Sequence, residues 1–141
     1  MCALVAMATR AAYKFFSRQR VRWMDCDMLG HMNSPFYYVM MECGLTDFYM
    51  SNGVFRSDAA VPVCGASSCR FVRPFQHHEI VDVGLRVASL QPKAATFRIG
   101  LFHEEEQRAV GEYTHVWVSC RDSNGERGRR EKGLGRRGPR R

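Results

Sequence analysis

From Pro35 to about Met50 the chain reads Pro-Phe-Tyr-Tyr-Val-Met-Met-Glu-Cys-Gly-Leu-Thr-Asp-Phe-Tyr-Met, with Glu42 and Asp47 its only charges. Wound as a helix, this stretch is apolar around nearly its whole circumference. Such a helix must be enclosed on most sides, because an amphipathic surface helix would show a polar face. It is too short to cross a bilayer, which takes about 20 apolar residues. Each large side chain it hides contributes roughly 1.5–3 kcal/mol, so the helix is expected at the centre of the core. Asn33 or Ser34 can cap it, Pro35 suits the first helical position, and Asn52-Gly53 ends it.

The rest of the chain alternates as strands do. Val81, Val83, Leu85 and Val87 interleave with Asp82, Gly84 and Arg86 up to a break at Gln91-Pro92-Lys93. Phe97, Ile99 and Leu101 alternate with Thr96, Arg98 and Gly100, and His103 to Gln107 is a polar turn. Val110, Thr114, Val116 and Val118 continue a third strand to about Cys120. Before these, Cys69, Phe71 and Val63 mark strands broken at Pro62, Gly65 and Pro74, and a first strand runs from about Phe15 to Trp23. One strand, one buried helix and about four antiparallel strands give an α+β fold, an antiparallel sheet wrapped around one long central helix. That is the hot-dog architecture. Its sheet leaves an edge strand exposed, so a homodimer, or a tetramer of such subunits, is the default expectation.

Charge divides the chain. Residues 121–141 hold nine Lys/Arg against three Asp/Glu, whereas residues 1–120 hold twelve against eleven. The basicity therefore belongs to an Arg/Gly-rich tail that cannot bury enough surface to fold, and nucleic-acid contact through that tail is a minor expectation. The domain reading is an extension over residues 1–12, a fold over 13–120 and a disordered tail over 121–141. Met1 to Trp23 carries Arg10, Lys14, Arg18, Arg20 and Arg22 and no acid, as an import signal would. Strand-like alternation from Tyr13 onward favours a cytoplasmic, intracellular chain, with mitochondrial import as the alternative. The six cysteines are scattered without a Cys-x-x-Cys pair, which gives neither a zinc spacing nor a disulfide framework. No metal, cofactor or membrane span is expected.

Arg22-Trp23-Met24-Asp25-Cys26-Asp27, then Gly30, Pro35 and Tyr37, resembles the first strand and helix start of the 4-hydroxybenzoyl-CoA thioesterase family. Ser68-Cys69-Arg70-Phe71-Val72-Arg73-Pro74 resembles the strand after its helix, and Gly111 to Val118 its last strand. The resemblance covers about residues 15 to 120. It implies an acyl-CoA or aryl-CoA substrate, with Asp27 as the catalytic carboxylate. It also implies that the turn at Asn33 and Ser34 binds the thioester carbonyl through backbone N–H groups, beside Tyr37. His31 is similar to the catalytic histidine of plant acyl-ACP thioesterases. Those enzymes have an Asn where this chain has Leu29, and some bacterial relatives have a His where it has Ser34. A second subclass carries its carboxylate on the helix, where Glu42 is the counterpart. Arg56, Arg70 and Arg73 are candidates for the CoA phosphates.

The chemistry is coherent on its own terms. An Asp is ionised at neutral pH and can activate water or attack the carbonyl itself. A helix N-terminus offers N–H donors and positive potential where an oxyanion develops. The leaving thiolate is a weak base and needs little protonation. Asp25 reads as a turn residue. The alternatives are a hydratase or dehydratase using Asp27 and His31 as acid and base, and a non-catalytic acyl-CoA-binding protein.

Overall fold

A computed structural model describes residues 7–54 and 60–119. The first strand, β1 (Phe15–Arg20), leads through a turn to the helix α1 (Ser34–Ser51). Four strands follow: β2 (Ala60–Phe71), β3 (Ile80–Gln91), β4 (Ala94–His103) and β5 (Glu106–Ser119). They form one antiparallel sheet in the order β1-β3-β4-β5-β2. This is the hot-dog fold that the sequence predicts.

The β3–β4 hairpin turns through Pro92-Lys93 with Gln91 opposite Ala94, where the sequence breaks. The β4–β5 turn is tighter than the polar run suggests. Glu104 sits at φ 54°, and β5 begins at Glu106, four residues before Val110. Pro62 and Gly65 do not interrupt β2, contrary to expectation. The strand lies at the sheet's edge, where a proline's missing N–H can face away from the ladder, and a bulge between Cys64 and Ala66 absorbs the glycine. Conversely, β1 stops at Arg20 rather than Trp23. Arg22 and Asp25 hydrogen-bond each other reciprocally and curl residues 23–25 into a 3₁₀ turn.

The helix lies across the sheet and joins its two edge strands. Tyr37, Met40, Met41, Gly44, Leu45 and Tyr49 are buried, packed with Val83, Leu85, Phe97, Ile99 and Tyr113. Gly44 lets α1 approach β3 closely: a Cβ there would stand 2.5 Å from Val83 Cγ1. Enclosure on most sides is not observed. Val39 and Met50 are 41% and 64% exposed, because one sheet covers only one face of a helix. At the helix end Asn52 Nδ2 donates to the Phe48 carbonyl at 2.8 Å and Gly53 takes φ 68°, as the Asn-Gly pair predicts. Ala8 N–H donates to Gln107 and the Arg10 guanidinium to Asp82, so the stretch before β1 is docked on the sheet. Among the described residues no helix is long and apolar enough to cross a membrane.

Candidate active site

The link from β1 to α1 is held by its two aspartates in different ways. Asp25 is fully buried. Its carboxylate accepts from the Arg22 amide at 2.8 Å and from the Arg22 guanidinium at 2.7 Å, and its carbonyl accepts from Asn33 N–H at 2.8 Å. Burial pushes the Asp25 carboxyl up, but the Arg22 bonds outweigh it and hold it below the usual carboxylate value. Asp25 is thus the structural aspartate of the pair.

Asp27 is exposed. Its amide donates to the His31 carbonyl at 2.9 Å, and Gly30 N–H returns to the Asp27 carbonyl at 3.0 Å. Gly30 is at φ 76°, a conformation that suits glycine in this tight corner. The Asp27 Oδ1 accepts from Leu29 N–H at 2.8 Å and, more weakly, from His31 N–H at 3.4 Å. Among the described residues nothing donates to Oδ2. The side chain lines a cavity of about 460 Å³ with Trp23, Met24, Cys26, Met28, Gly30 and His77. Burial, with the charges of Asp25 and Asp27 behind it, pushes the Cys26 thiol up, so at neutral pH this wall holds a thiol rather than a thiolate.

The helix start lies beyond Met32. Asn33 is at the capping position with extended backbone, yet its side chain makes no capping bond. Its carbonyl accepts from Phe36 N–H at 2.9 Å. Ser34 is the first helical residue, Pro35 has no N–H, and among the described residues nothing accepts from the Ser34 N–H. Ser34 lines a second hollow, about 310 Å³, with Met32, Tyr37, Phe71, Val72, Arg73 and Pro74. Tyr37 is buried, its hydroxyl accepting from Phe75 N–H at 3.3 Å.

The structure therefore brings Ser34, Tyr37 and Arg73 to one hollow and places Asp27 in another, with no lining residue in common. His31 meets Asp27 through its backbone; its main chain also bridges to Gln76. Arg73 is paired with Glu106 at 3.0 Å, Arg70 is exposed on β2, and Arg56 lies outside the described residues. Glu42 lines a third groove, about 600 Å³, with Gln19, Tyr38, Val39, Cys43, Thr46, Asp47, Ser67 and Tyr113. Partial burial raises its carboxyl. Sequence reasoning missed His77, which packs edge-on against Trp23 at 5.4 Å and lines the Asp27 cavity. Its one signal was the His-His pair after Pro74, which no motif explains.

The model of the thioesterase-like superfamily matches residues 21–130. A Bacillus subtilis (strain 168) protein, YsmA, is 25% identical over 113 residues, 78% of this chain and 76% of that protein. The crystal structure of the PA5185 protein from Pseudomonas aeruginosa strain PAO1 superposes with a TM-score of 0.75 at 28% identity, over 82% of this chain and 83% of that one. BH1999 gentisyl-coenzyme A thioesterase is similar in fold, with a TM-score of 0.69 at 19% identity over 74% and 89% of the two chains.

Proposed function

We propose that this chain, which belongs to the thioesterase-like superfamily, hydrolyses an acyl-CoA or aryl-CoA thioester to the free acid and CoA. The reading is carried by the Asp27 carboxylate. One oxygen is tied to the Leu29 amide, no described residue donates to the other, and Asp27 lines a cavity walled by Trp23 and His77. A carboxylate so fixed can take a proton from water or attack the thioester carbonyl directly. The Ser34 N–H at the start of α1, which no described residue accepts, is the donor we assign to the oxyanion. The finer likeness to the 4-hydroxybenzoyl-CoA thioesterase family supports the same roles, and Arg70 and Arg73 would meet the CoA phosphates.

Two features support a homodimer. The long edge strand β2 carries exposed Val61, Val63 and Phe71, and Val39 and Met50 are uncovered on α1. A second copy paired along the β2 edge would cover part of this surface and bring hollows of the two subunits together, which suits a substrate with both a long carrier and an acyl group. The experiment is thiol release from a panel of acyl- and aryl-CoA thioesters by wild type and Asp27→Ala. Release by wild type that Asp27→Ala lacks supports the assignment, and equal release by both would sink it. Binding without turnover would favour the acyl-CoA-binding alternative, and hydration of enoyl-CoA without thiol release the hydratase one.

A further inference from the structure

Three side chains with metal-ligand chemistry converge where α1 crosses the β2–β5 ladder. Glu42 comes from the helix, Cys64 from β2 and His115 from β5. One ligand atom of each lies within 4.8 Å of the other two. Cys64 and His115 are directly opposite in the antiparallel register, so they share a face of the sheet.

The second observation concerns His115 itself. It is 4% exposed, and its Nδ1 is 2.6 Å from the Tyr49 hydroxyl. Its Nε2 is buried with no hydrogen-bond partner among the described residues. A buried polar atom without a partner is uncommon and calls for an occupant. Cys64 does not supply it, since its thiol donates instead to the Ala66 carbonyl at 3.6 Å.

The geometry points to a site for a divalent transition-metal cation of zinc's class, held by Glu42, Cys64 and His115 with water at the fourth position. Imidazole, thiolate and carboxylate are the donors such a cation takes, and three protein ligands leave a tetrahedral position open. Bond lengths of about 2.0–2.3 Å require ligand atoms roughly 3.3–3.8 Å apart, so the cluster must contract a little. Glu42 and Cys64 are exposed and free to make that move. Charge also balances: one thiolate and one carboxylate neutralise a dication, which eases its burial beside His115. On binding, the Cys64 thiol gives its proton to solvent and the cation takes the sulfur lone pair. Nε2 donates its lone pair to the metal, so Nδ1 carries the ring proton and donates it to the Tyr49 hydroxyl. A hydrogen bond behind a ligating histidine orients the ring in this way. The three ligands are far apart in the chain, so no sequence spacing announces them.

The test uses the full chain, freed of metal by chelation and titrated with Co²⁺ and then Zn²⁺. One equivalent of cobalt per chain should bind with a thiolate-to-cobalt charge-transfer absorption, and zinc should displace it. Cys64→Ser should abolish that absorption and weaken binding at least tenfold, while Cys69→Ser should retain both. Should Cys64→Ser fail to fold, Glu42→Gln serves: it should keep the absorption and lose affinity. Absence of saturable cobalt binding, an absorption that survives Cys64→Ser, or unchanged affinity in Glu42→Gln would overturn the site. Thioester hydrolysis takes no part in these readouts, so this inference and the assignment of Asp27 stand or fall separately.

Discussion

The Leu29 amide donates to Asp27 Oδ1 at 2.8 Å, and this bond gives one carboxylate oxygen a structural part and leaves the other for the proposed chemistry. Asparagine can keep the first and lose the second. Asp27→Asn is therefore expected to retain the turn, with a stability change inside about 0.5 kcal/mol. Its kcat for thioester hydrolysis should fall roughly 10²- to 10⁴-fold, the usual contribution of a general base. Thermal melts and steady-state thiol release measured on the same preparations separate the two effects.

Ser34 offers a similar dissection of backbone from side chain. Proline is tolerated in the first turn of a helix but has no N–H. Ser34→Pro should lower kcat about 10²- to 10³-fold, as the loss of one oxyanion donor does. Ser34→Ala, which keeps the N–H, should be close to wild type. Equal losses in the two variants would mean that the hydroxyl is the group in use.

Acid should unfold the chain through Asp25 and Asp82. Burial raises the Asp82 carboxyl, but Arg18 and Arg10 outweigh it and hold it below the usual value, as Arg22 does for Asp25. Both groups bind fewer protons folded than unfolded, so their stabilisation is full above the unfolded value near 3.9. It is lost as pH falls from there through the lower folded values. Urea midpoints between pH 6 and 2 should show this slope. Asp82→Asn should flatten it, and a slope of unchanged steepness would remove Asp82 from the account.

Gly44 sets two effects against each other. Alanine gains about 1 kcal/mol of helix propensity over glycine. Its Cβ would meet Val83 Cγ1 at 2.5 Å and Leu85 Cδ1 at 3.3 Å, and a β-branched strand residue has little rotamer freedom to yield. Overpacking costs typically 1–3 kcal/mol, so Gly44→Ala is expected to be net destabilising by up to about 2 kcal/mol in chemical denaturation. A stabilised variant would show that α1 can lift from β3.

Sedimentation or light scattering should give twice the chain mass. Val63, 48% exposed on β2, is the site to perturb. Val63→Arg should shift the mass toward one chain, and a mass unaffected by it would move the interface away from this strand.

Much of this fold was legible because hydrophobic periodicity reports which face is buried. The β3–β4–β5 hairpins follow from alternation broken by Pro92 and by the charged turn at Glu104. The edge strand was misread because Pro62 and Gly65 are breakers only where both sides of a strand must pair. The end of β1 was misread because the Arg22–Asp25 bond, which curls the chain there, depends on geometry that alternation does not record. At the candidate site, the turn that holds Asp27 was legible from a short motif whose parts act locally. The cluster of Glu42, Cys64 and His115 was not, since three separate elements supply it. His31 stood out in the motif, yet the bonds it makes to Asp27 come from its backbone, and side-chain identity says little about those.

The order β1-β3-β4-β5-β2 also has a kinetic meaning. The central three strands close through two short turns, whereas β1 reaches β3 only across the helix and β2, and β2 reaches β5 only across the whole β3–β4 hairpin. Short loops cost the least entropy to close, so residues 80–119 are the natural nucleus and the two edges arrive late. Asp27 and the helix start belong to the late segment. Substitutions there should raise the unfolding rate more than they slow folding, which leaves the corner around Asp27 free to vary without endangering the chain's route to its fold.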